Sequence, residues 1–112
     1  MSGRNDIASF GLAAGIMWIG RSGRRYVLQR VLEEGHVLVE GALYALVNGN
    51  AIAWAGTAQN LIEDQASRAR FRRAAGEGAV LFSLPAPDEE LACMTLVWDL
   101  EGTRRNPGRN AA

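Results

Sequence analysis

Residues 42–57 read ALYALVNGNAIAWAGT, two apolar runs on either side of an Asn-Gly pair. Asn48-Gly49 is a strong hairpin signal, because a type I′ turn needs positive φ at both of its central residues. We therefore expect antiparallel strands over Leu43–Val47 and Ala51–Ala55. Thr57, a residue type that caps helix N-termini well, then predicts a helix directly after the second strand.

The length of the turn determines which side chains of this hairpin share a face. A two-residue turn at Asn48-Gly49 pairs Tyr44 with Ala53, which puts Tyr44 and Trp54 on opposite faces of the sheet. A three-residue loop places the two rings across from each other on one face. Both registers fit the sequence, and only the second would let both rings line one site.

Helical and extended patterns alternate after the hairpin. The sequence predicts a helix over Ala58–Ala75 that ends at Gly76, with acidic residues early and arginines late, the order that complements the helix macrodipole. A third strand is predicted over Gly78–Leu84. Two prolines follow, and a second helix then runs from Asp88 to about Leu100.

The second helix is apolar on two sides. Leu91, Met94 and Trp98 form one apolar stripe at helical spacing, and Leu96 and Val97 make the other side apolar as well. We therefore expect this helix to be largely enclosed. The order of elements predicts an α+β fold in which a small antiparallel three-stranded sheet is flanked by helices.

Residues 1–36 are predicted to form an N-terminal extension, partly helical or hairpin, to a domain that spans residues 37–112. One interpretation is a hairpin around Ser22-Gly23. The other is a helix over Arg24–Glu34, whose apolar residues recur at helical spacing before a glycine. We favour the helix.

Composition excludes several classes of protein. The hydrophobic content of 48% is typical of a globular domain, and the formal net charge is zero, which excludes a histone-like polycation but not a locally basic surface. Cys93 is the only cysteine, which excludes an intramolecular disulfide and a CxxC site, and its apolar neighbours predict a buried, inert thiol. His36 is the only histidine, which excludes a metal site with two histidines.

The uncharged run Ile7–Gly20 is the one membrane-like stretch. Its fourteen residues fall short of the ~20 that a spanning helix needs. Arg4 before it mimics the positive region of a signal peptide, but Asp6 interrupts that pattern and no small-x-small cleavage site follows before Arg21. We therefore expect no membrane partner and a cytoplasmic location; the oligomeric state stays open.

Short motifs follow one another in a fixed order along the hairpin and beyond it. They are Ala42-Leu-Tyr44, Trp54-Ala-Gly56-Thr57, Asn60-Leu61 and, after a third strand, a Pro-containing turn and a helix, Pro107-x-x-Asn110. Together this set resembles the double signature of GIY-YIG nuclease domains over residues 37–110. The resemblance implies metal-assisted cleavage of phosphodiesters with Mg²⁺. In the family a tyrosine activates or positions water, an arginine on the first helix stabilises the phosphate, and a glutamate on the later helix binds the cation.

The chain departs from the family's pattern where the chemistry most needs it. Trp54 replaces the second tyrosine and has no ionisable hydroxyl. Asp64 stands at the position of the family's arginine, and Met94 or Thr95 near that of its glutamate. These departures predict a domain that has lost catalysis and binds nucleic acid or a protein partner.

Two alternatives remain open. Arg68 lies one helical turn beyond the position of the family's arginine, and Asp99 one turn beyond that of its glutamate. An active divalent-metal-dependent endonuclease would then use Tyr44, Trp54 and Arg68 as its catalytic residues and Asp99 as its metal ligand. The second alternative is a small interaction subunit that docks through its apolar N-terminal segment, Ile7–Ile19.

Four arginines in six residues surround Phe71, and further arginines follow in the C-terminal tail. Such a group is typical of a phosphate-binding surface. The same charges also suit the C-terminal end of a helix, where cations are favourable. The nucleic-acid-binding candidates are Arg70, Arg72, Arg73 and Asn110.

Overall fold

The computed structural model describes residues 15–31 and 38–105. The strands are β1 Gly15–Ile19, β2 Arg25–Arg30, β3 Ala42–Asn48, β4 Ala51–Gly56 and β5 Val80–Pro85, and the helices are α1 Ala58–Glu63, α2 Gln65–Gly76 and α3 Glu90–Leu100. The α+β class agrees with the expectation from the sequence. The predictions made for His36, Pro107 and Asn110, and for residues 7–14 of the apolar N-terminal run, lie outside the described residues.

The sheet has five antiparallel strands in the order β1-β2-β5-β3-β4. The predicted three-stranded sheet is therefore wrong. The two additional strands come from the N-terminal hairpin, because β2 pairs with β5 through Gln29 opposite Ser83 and Arg30 opposite Phe82. Residues 15–30 thus extend the same sheet that β3, β4 and β5 form.

The favoured helix over Arg24–Glu34 is also wrong for the residues described, since Arg25–Arg30 is a strand. The hairpin interpretation around Ser22-Gly23 is confirmed. From Arg25 to Gln29 burial alternates with a period of two: Leu28 is buried, and its neighbours Val27 and Gln29 are exposed. An adjacent Val-Leu pair is compatible with one face of a helix and also with a strand. These residues form a strand because they pair with β1 and β5.

The β3–β4 hairpin has a register that neither prediction anticipated. Asn48 pairs with Ala51, so the turn residues are Gly49 and Asn50. Only glycines have positive φ among the described residues, and Gly49 has φ +66, which is typical of a type II′ turn. Farther along, Val47 pairs with Ile52 but Leu46 pairs with Trp54. The extra residue, Ala53, is a bulge that turns Trp54 to the face of Tyr44.

The helix predicted over Ala58–Ala75 is interrupted at Asp64, although its predicted N-cap, Thr57, is confirmed. Asp64 has extended backbone angles, φ −113 and ψ 105, and it separates α1 from α2. Its carboxylate accepts hydrogen bonds from the backbone N–H groups of Ala66 at 3.0 Å and Ser67 at 3.2 Å. Asp64 is therefore the N-cap of the second helix.

Each face of the sheet has its own core. α3 packs on one face and α2 on the other. Successive side chains of β3 point to opposite faces, so alternate residues of this strand belong to different clusters. The buried residues on the α3 side are Trp18, Leu28, Leu43, Ala45, Val47, Ile52, Ala55, Phe82, Leu84 and Leu100. Those on the α2 side are Tyr44, Leu46, Trp54 and Ala74.

The prediction that α3 is largely enclosed is wrong. Leu91, Met94 and Trp98 are 72%, 61% and 60% exposed, while Leu96 and Val97 pack on the core. One of its two apolar sides is thus left uncovered within the part of the chain that the structure describes. No helix in that part is long and apolar enough to cross a membrane.

The chain after α3 returns along the outer edge of β4. The backbone N–H of Ile52 donates to the carbonyl of Thr103 at 2.9 Å, and the carbonyl of Ile52 accepts from Gly102 at the same distance. The indole of Trp18 donates to the hydroxyl of Thr103 at 2.7 Å. This segment covers the beginning of β4 and leaves the far end of the strand to the cleft described below.

Candidate functional site

Tyr44 and Trp54, two of the three predicted catalytic residues, lie together in the core under α2. Their side chains are 1% and 0% exposed. The indole N–H of Trp54 donates to the hydroxyl of Ser67 at 2.9 Å, and its ring meets that of Phe71 edge to face at 4.9 Å. The hydroxyl oxygen of Tyr44 accepts a hydrogen bond from the backbone N–H of Val39 at 3.0 Å. Both rings pack as core side chains between β3, β4 and α2.

The other motif residues at the end of the hairpin, Gly56, Thr57 and Asn60, each have a structural role in packing or capping. A Cβ at Gly56 would lie 2.8 Å from the ring of Trp54, so the tryptophan requires glycine there. Asn60 accepts from the backbone N–H of Thr57 at 2.9 Å, and the hydroxyl of Thr57 accepts from that of Asn60 at 3.2 Å. This reciprocal pair is a capping box, which satisfies two free N–H groups at the start of α1.

Arg68, the third predicted catalytic residue, caps the end of α1. Its Nη1 donates to the carbonyl of Leu61 at 2.7 Å and to that of Ile62 at 3.2 Å. These carbonyls belong to the last turn of a helix that Asp64 interrupts, so they have no partner within α1. The guanidinium group therefore has a structural role at the α1–α2 junction.

Asp99, the predicted metal ligand, lies on the other side of the sheet. It is 3% exposed and joins α3 to the turn between β1 and β2. Its carboxylate accepts from the backbone N–H of Ser22 at 2.6 Å, from the hydroxyl of Ser22 at 2.7 Å and from that of Tyr26 at 2.5 Å. A Cβ at Gly20 would lie 2.6 Å from this carboxylate. The turn and the helix are packed as closely as a glycine allows.

The pKa values of this pair move in opposite directions. Burial acts to raise the pKa of Asp99, but the hydrogen bonds from Tyr26 and Ser22 outweigh it, so the pKa lies below its usual value of 3.8. Burial, followed by the hydrogen bond to Asp99, raises the pKa of Tyr26 above 10.0. The carboxylate is thus held ionised and the phenol neutral.

These residues do not fit a Mg²⁺ site. Both oxygens of Asp99 already accept hydrogen bonds from protein donors, whereas Mg²⁺ needs near-ideal octahedral coordination by oxygen ligands and keeps several waters. Among residues 15–31 and 38–105 there is no group of three or more His, Cys, Asp or Glu side chains that could hold a metal. The sheet also separates Asp99 from Tyr44 and Trp54.

A cleft that the sequence does not predict lies beside the edge strand β4. It has a volume of about 740 Å³ and runs between α1 and α2 on one side and α3 on the other. Met94, Val97 and Trp98 form part of its apolar wall. The carboxylates among its lining residues belong to Glu40, Glu63, Asp64, Asp88 and Glu90. Only the helical spacing on α3 signalled this surface, and that spacing did not show which apolar side is exposed.

The carboxylates of the cleft differ in what they already bind. Asp64 caps α2, and Glu63 accepts a hydrogen bond from Gln59. Glu40, Asp88 and Glu90 make no side-chain hydrogen bond or ion pair with any other residue that the structure describes. The described lining therefore carries five carboxylates and one arginine, and this excess of negative charge disfavours phosphate and favours cationic groups.

The predicted nucleic-acid-binding arginines are distributed along α2. Arg70 lines the cleft, with its Nε 3.4 Å from a carboxylate oxygen of Glu101. Arg72 and Arg73 are exposed, and neither guanidinium makes a hydrogen bond or an ion pair with another described residue. The predicted catalytic residues Tyr44, Trp54 and Arg68 are not among the described residues that line the cleft.

Comparisons of the chain with models of protein families, with curated proteins and with solved structures find no match.

Proposed function

We propose that this chain is a GIY-YIG-like domain without nuclease activity, which works as a binding module for a protein partner. The order of its elements supports the likeness: a hairpin, a capped helix, a third strand, a turn with prolines and a further helix. β3 lies between β4 and β5, so the hairpin and the third strand form one continuous unit.

The observation that carries the loss of activity is the position of Asp99. A metal-dependent nuclease needs its cation, its phosphate-binding arginine and its activated water within one site. Here Asp99 lies on the α3 face of the sheet, and Trp54 and Tyr44 lie on the α2 face. Arg68 is bound to the carbonyls of α1. No single surface presents these groups together.

A protein partner is preferred to nucleic acid because of the cleft and the uncovered side of α3. Leu91, Met94 and Trp98 make an exposed apolar stripe of the kind that marks protein interaction sites. The unpaired carboxylates near it would repel a phosphate backbone. The cytoplasmic location expected from the sequence stays a prediction.

The test of lost catalysis is incubation with supercoiled plasmid and with branched DNA in Mg²⁺ and in Mn²⁺. We expect no nicking beyond that of a buffer control, because the required groups are separated. Arg68→Ala and Asp99→Asn are assayed in parallel. Metal-dependent nicking by the natural chain that disappears in both variants would show an active site and overturn the proposal.

Nucleic-acid binding is the second candidate function, and the specific observation that favours it is the pair Arg72 and Arg73. Both are exposed on α2 without a partner among the described residues. If they contact phosphates, Arg72→Gln/Arg73→Gln should weaken the salt dependence of duplex binding. The slope of the logarithm of the binding constant against the logarithm of the salt concentration should become less steep by about 2. Arg25→Gln/Arg30→Gln removes the same charge from β2 and is the matched control.

Equal binding by these two double variants would mean that any attraction comes from overall charge and not from α2. Affinity that fails to fall as salt is raised would rule out phosphate contacts altogether. Duplex binding that depends on the α2 pair would instead make nucleic acid the partner.

A further inference from the structure

We propose that the cleft between α2 and α3 binds a short basic segment of another protein, which inserts an apolar side chain against Met94 and Trp98. This inference rests on the proposed function and adds the chemistry of the partner. Its basis is the combination of an apolar wall with unpaired carboxylates in one concave surface beside β4.

The carboxylates set the sign of the charge on the partner. Asp88 and Glu90 flank the start of α3, and Glu40 lies across the cleft before β3; none of the three has an ion pair among the described residues. Arg70 is the one described arginine in the lining, and Glu101 already holds it at 3.4 Å. Lysine or arginine side chains on the partner would complement this rim.

The wall of the cleft favours an apolar anchor. Met94 and Trp98 are one helical turn apart on α3, and both are more than half exposed. Methionine adapts to irregular partners, and tryptophan offers a large, rigid contact surface. Arg21 holds Trp98 in place: its guanidinium lies 5.6 Å from the ring centroid, and its Nε donates to the carbonyl of Trp98 at 2.8 Å.

The size of the cleft suits a few side chains of a short segment. A volume of about 740 Å³ is within the range of pockets that hold small ligands, and it accommodates a few side chains rather than a folded domain. Asp88 and Glu90 at the rim and Met94 and Trp98 in the wall lie on or just before one helix. A single short segment can therefore reach all four.

The test uses fluorescence anisotropy with three labelled synthetic peptides of equal length and a labelled DNA duplex. One peptide contains Leu and Lys in an amphipathic pattern, the second has Glu in place of Lys, and the third has Ser in place of Leu. We expect the Leu/Lys peptide to bind, and the other two peptides and the duplex to bind at least about tenfold more weakly, a difference of about 1.4 kcal/mol.

Two pairs of variants locate the binding. Asp88→Asn/Glu90→Gln should weaken the Leu/Lys peptide by about tenfold, whereas Glu77→Gln/Glu89→Gln, with the same loss of charge outside the cleft, should change it by less than about twofold. Met94→Ala should weaken binding, and Ile62→Ala, an exposed apolar residue outside the cleft, should not. Circular dichroism checks that each variant is folded.

The outcomes separate this inference from the proposed function. Equal binding of the Leu/Glu peptide, or equal loss in the two charge variants, would overturn the basic partner and leave a protein-binding domain. Absence of binding by all three peptides would overturn the cleft as a peptide site. Duplex binding lost in Arg72→Gln/Arg73→Gln would replace the protein partner by nucleic acid. The proposed loss of catalysis would be contradicted only by metal-dependent nicking of plasmid or branched DNA that disappears in Arg68→Ala and Asp99→Asn.

Discussion

Trp54 shows how a residue at a motif position can serve packing. Its ring is wholly buried, meets Phe71 edge to face and donates its N–H to Ser67. A buried indole N–H without a partner is costly, so Ser67 on α2 and Trp54 on β4 depend on each other. Gly56 completes the arrangement by leaving room for the ring.

Ser67→Ala should destabilise the protein by about 1–3 kcal/mol, because it leaves the buried N–H of Trp54 unsatisfied. Urea unfolding measures the free energy of unfolding. The control is the reverse exchange at the neighbouring exposed position, Ala66→Ser, which should change stability by less than about 0.5 kcal/mol. A loss in Ser67→Ala no larger than that of the control would show that the hydrogen bond contributes nothing.

At the scale of elements, Asp64 divides the α1–α2 segment. It is the C-cap residue of α1 and the N-cap of α2, and its side chain accepts from the N–H groups of Ala66 and Ser67. Arg68 stabilises the same junction from the next turn by binding the carbonyls of Leu61 and Ile62. Asp64, at the position of the family's arginine, and Arg68, the alternative to it one turn later, therefore both stabilise the junction between α1 and α2.

Asp64→Ala should lower the free energy of unfolding by about 0.5–2 kcal/mol, the usual cost of losing an N-cap. Asp64→Asn keeps an oxygen that can accept the same hydrogen bonds, so it should lower the free energy of unfolding much less. Chemical denaturation of the three proteins measures the difference. If alanine and asparagine were equally destabilising, the charge of Asp64 and not its capping oxygen would be the important property.

At the scale of the whole molecule, Asp99 joins the two ends of the described chain. Through Ser22 and Tyr26 it ties the N-terminal hairpin to α3, whose core side chains also pack against that hairpin. The pKa of Asp99 is lower in the folded protein than its usual value, so the unfolded chain binds the proton more tightly. The stabilisation is present above pH 3.8 and is lost as the pH falls through the folded pKa.

Asp99→Asn should therefore flatten the fall in thermal stability below pH 3.8, while it lowers stability at neutral pH. The melting temperature as a function of pH measures both effects. Asp88→Asn, which removes an exposed carboxylate that has no hydrogen bond to a described residue, is the matched control for the loss of one charge. An unaltered slope in Asp99→Asn would mean that other carboxylates cause the acid sensitivity.

At alkaline pH the stability of the protein changes with pH in the opposite direction, because Tyr26 titrates there. Burial and the hydrogen bond to Asp99 raise the pKa of Tyr26, so the unfolded chain loses the phenol proton first and stability falls as the pH rises above 10.0. Tyr26→Phe should reduce this alkaline loss. Melting curves above that pH, with and without the substitution, provide the measurement, and parallel curves for the two proteins would contradict it.

Local chemistry in the sequence determined several parts of this fold. The Asn-Gly region predicted the β3–β4 hairpin, Thr57 predicted the start of α1, and Gly76 marks the end of α2. These features depend on turn and capping preferences, which act between residues close in the chain. The strand near Val80 and the helix after the prolines were also predicted.

The register, the extent of the sheet and the exposed side of α3 arise from contacts between residues far apart in sequence. The bulge at Ala53 turns Trp54 toward Ser67, and β2 becomes a strand because it pairs with β1 and β5. Either side of α3 was apolar enough for burial, and the position of the helix across the sheet left Met94 exposed. Side-chain patterns do not contain this information, because burial depends on which surface each element meets.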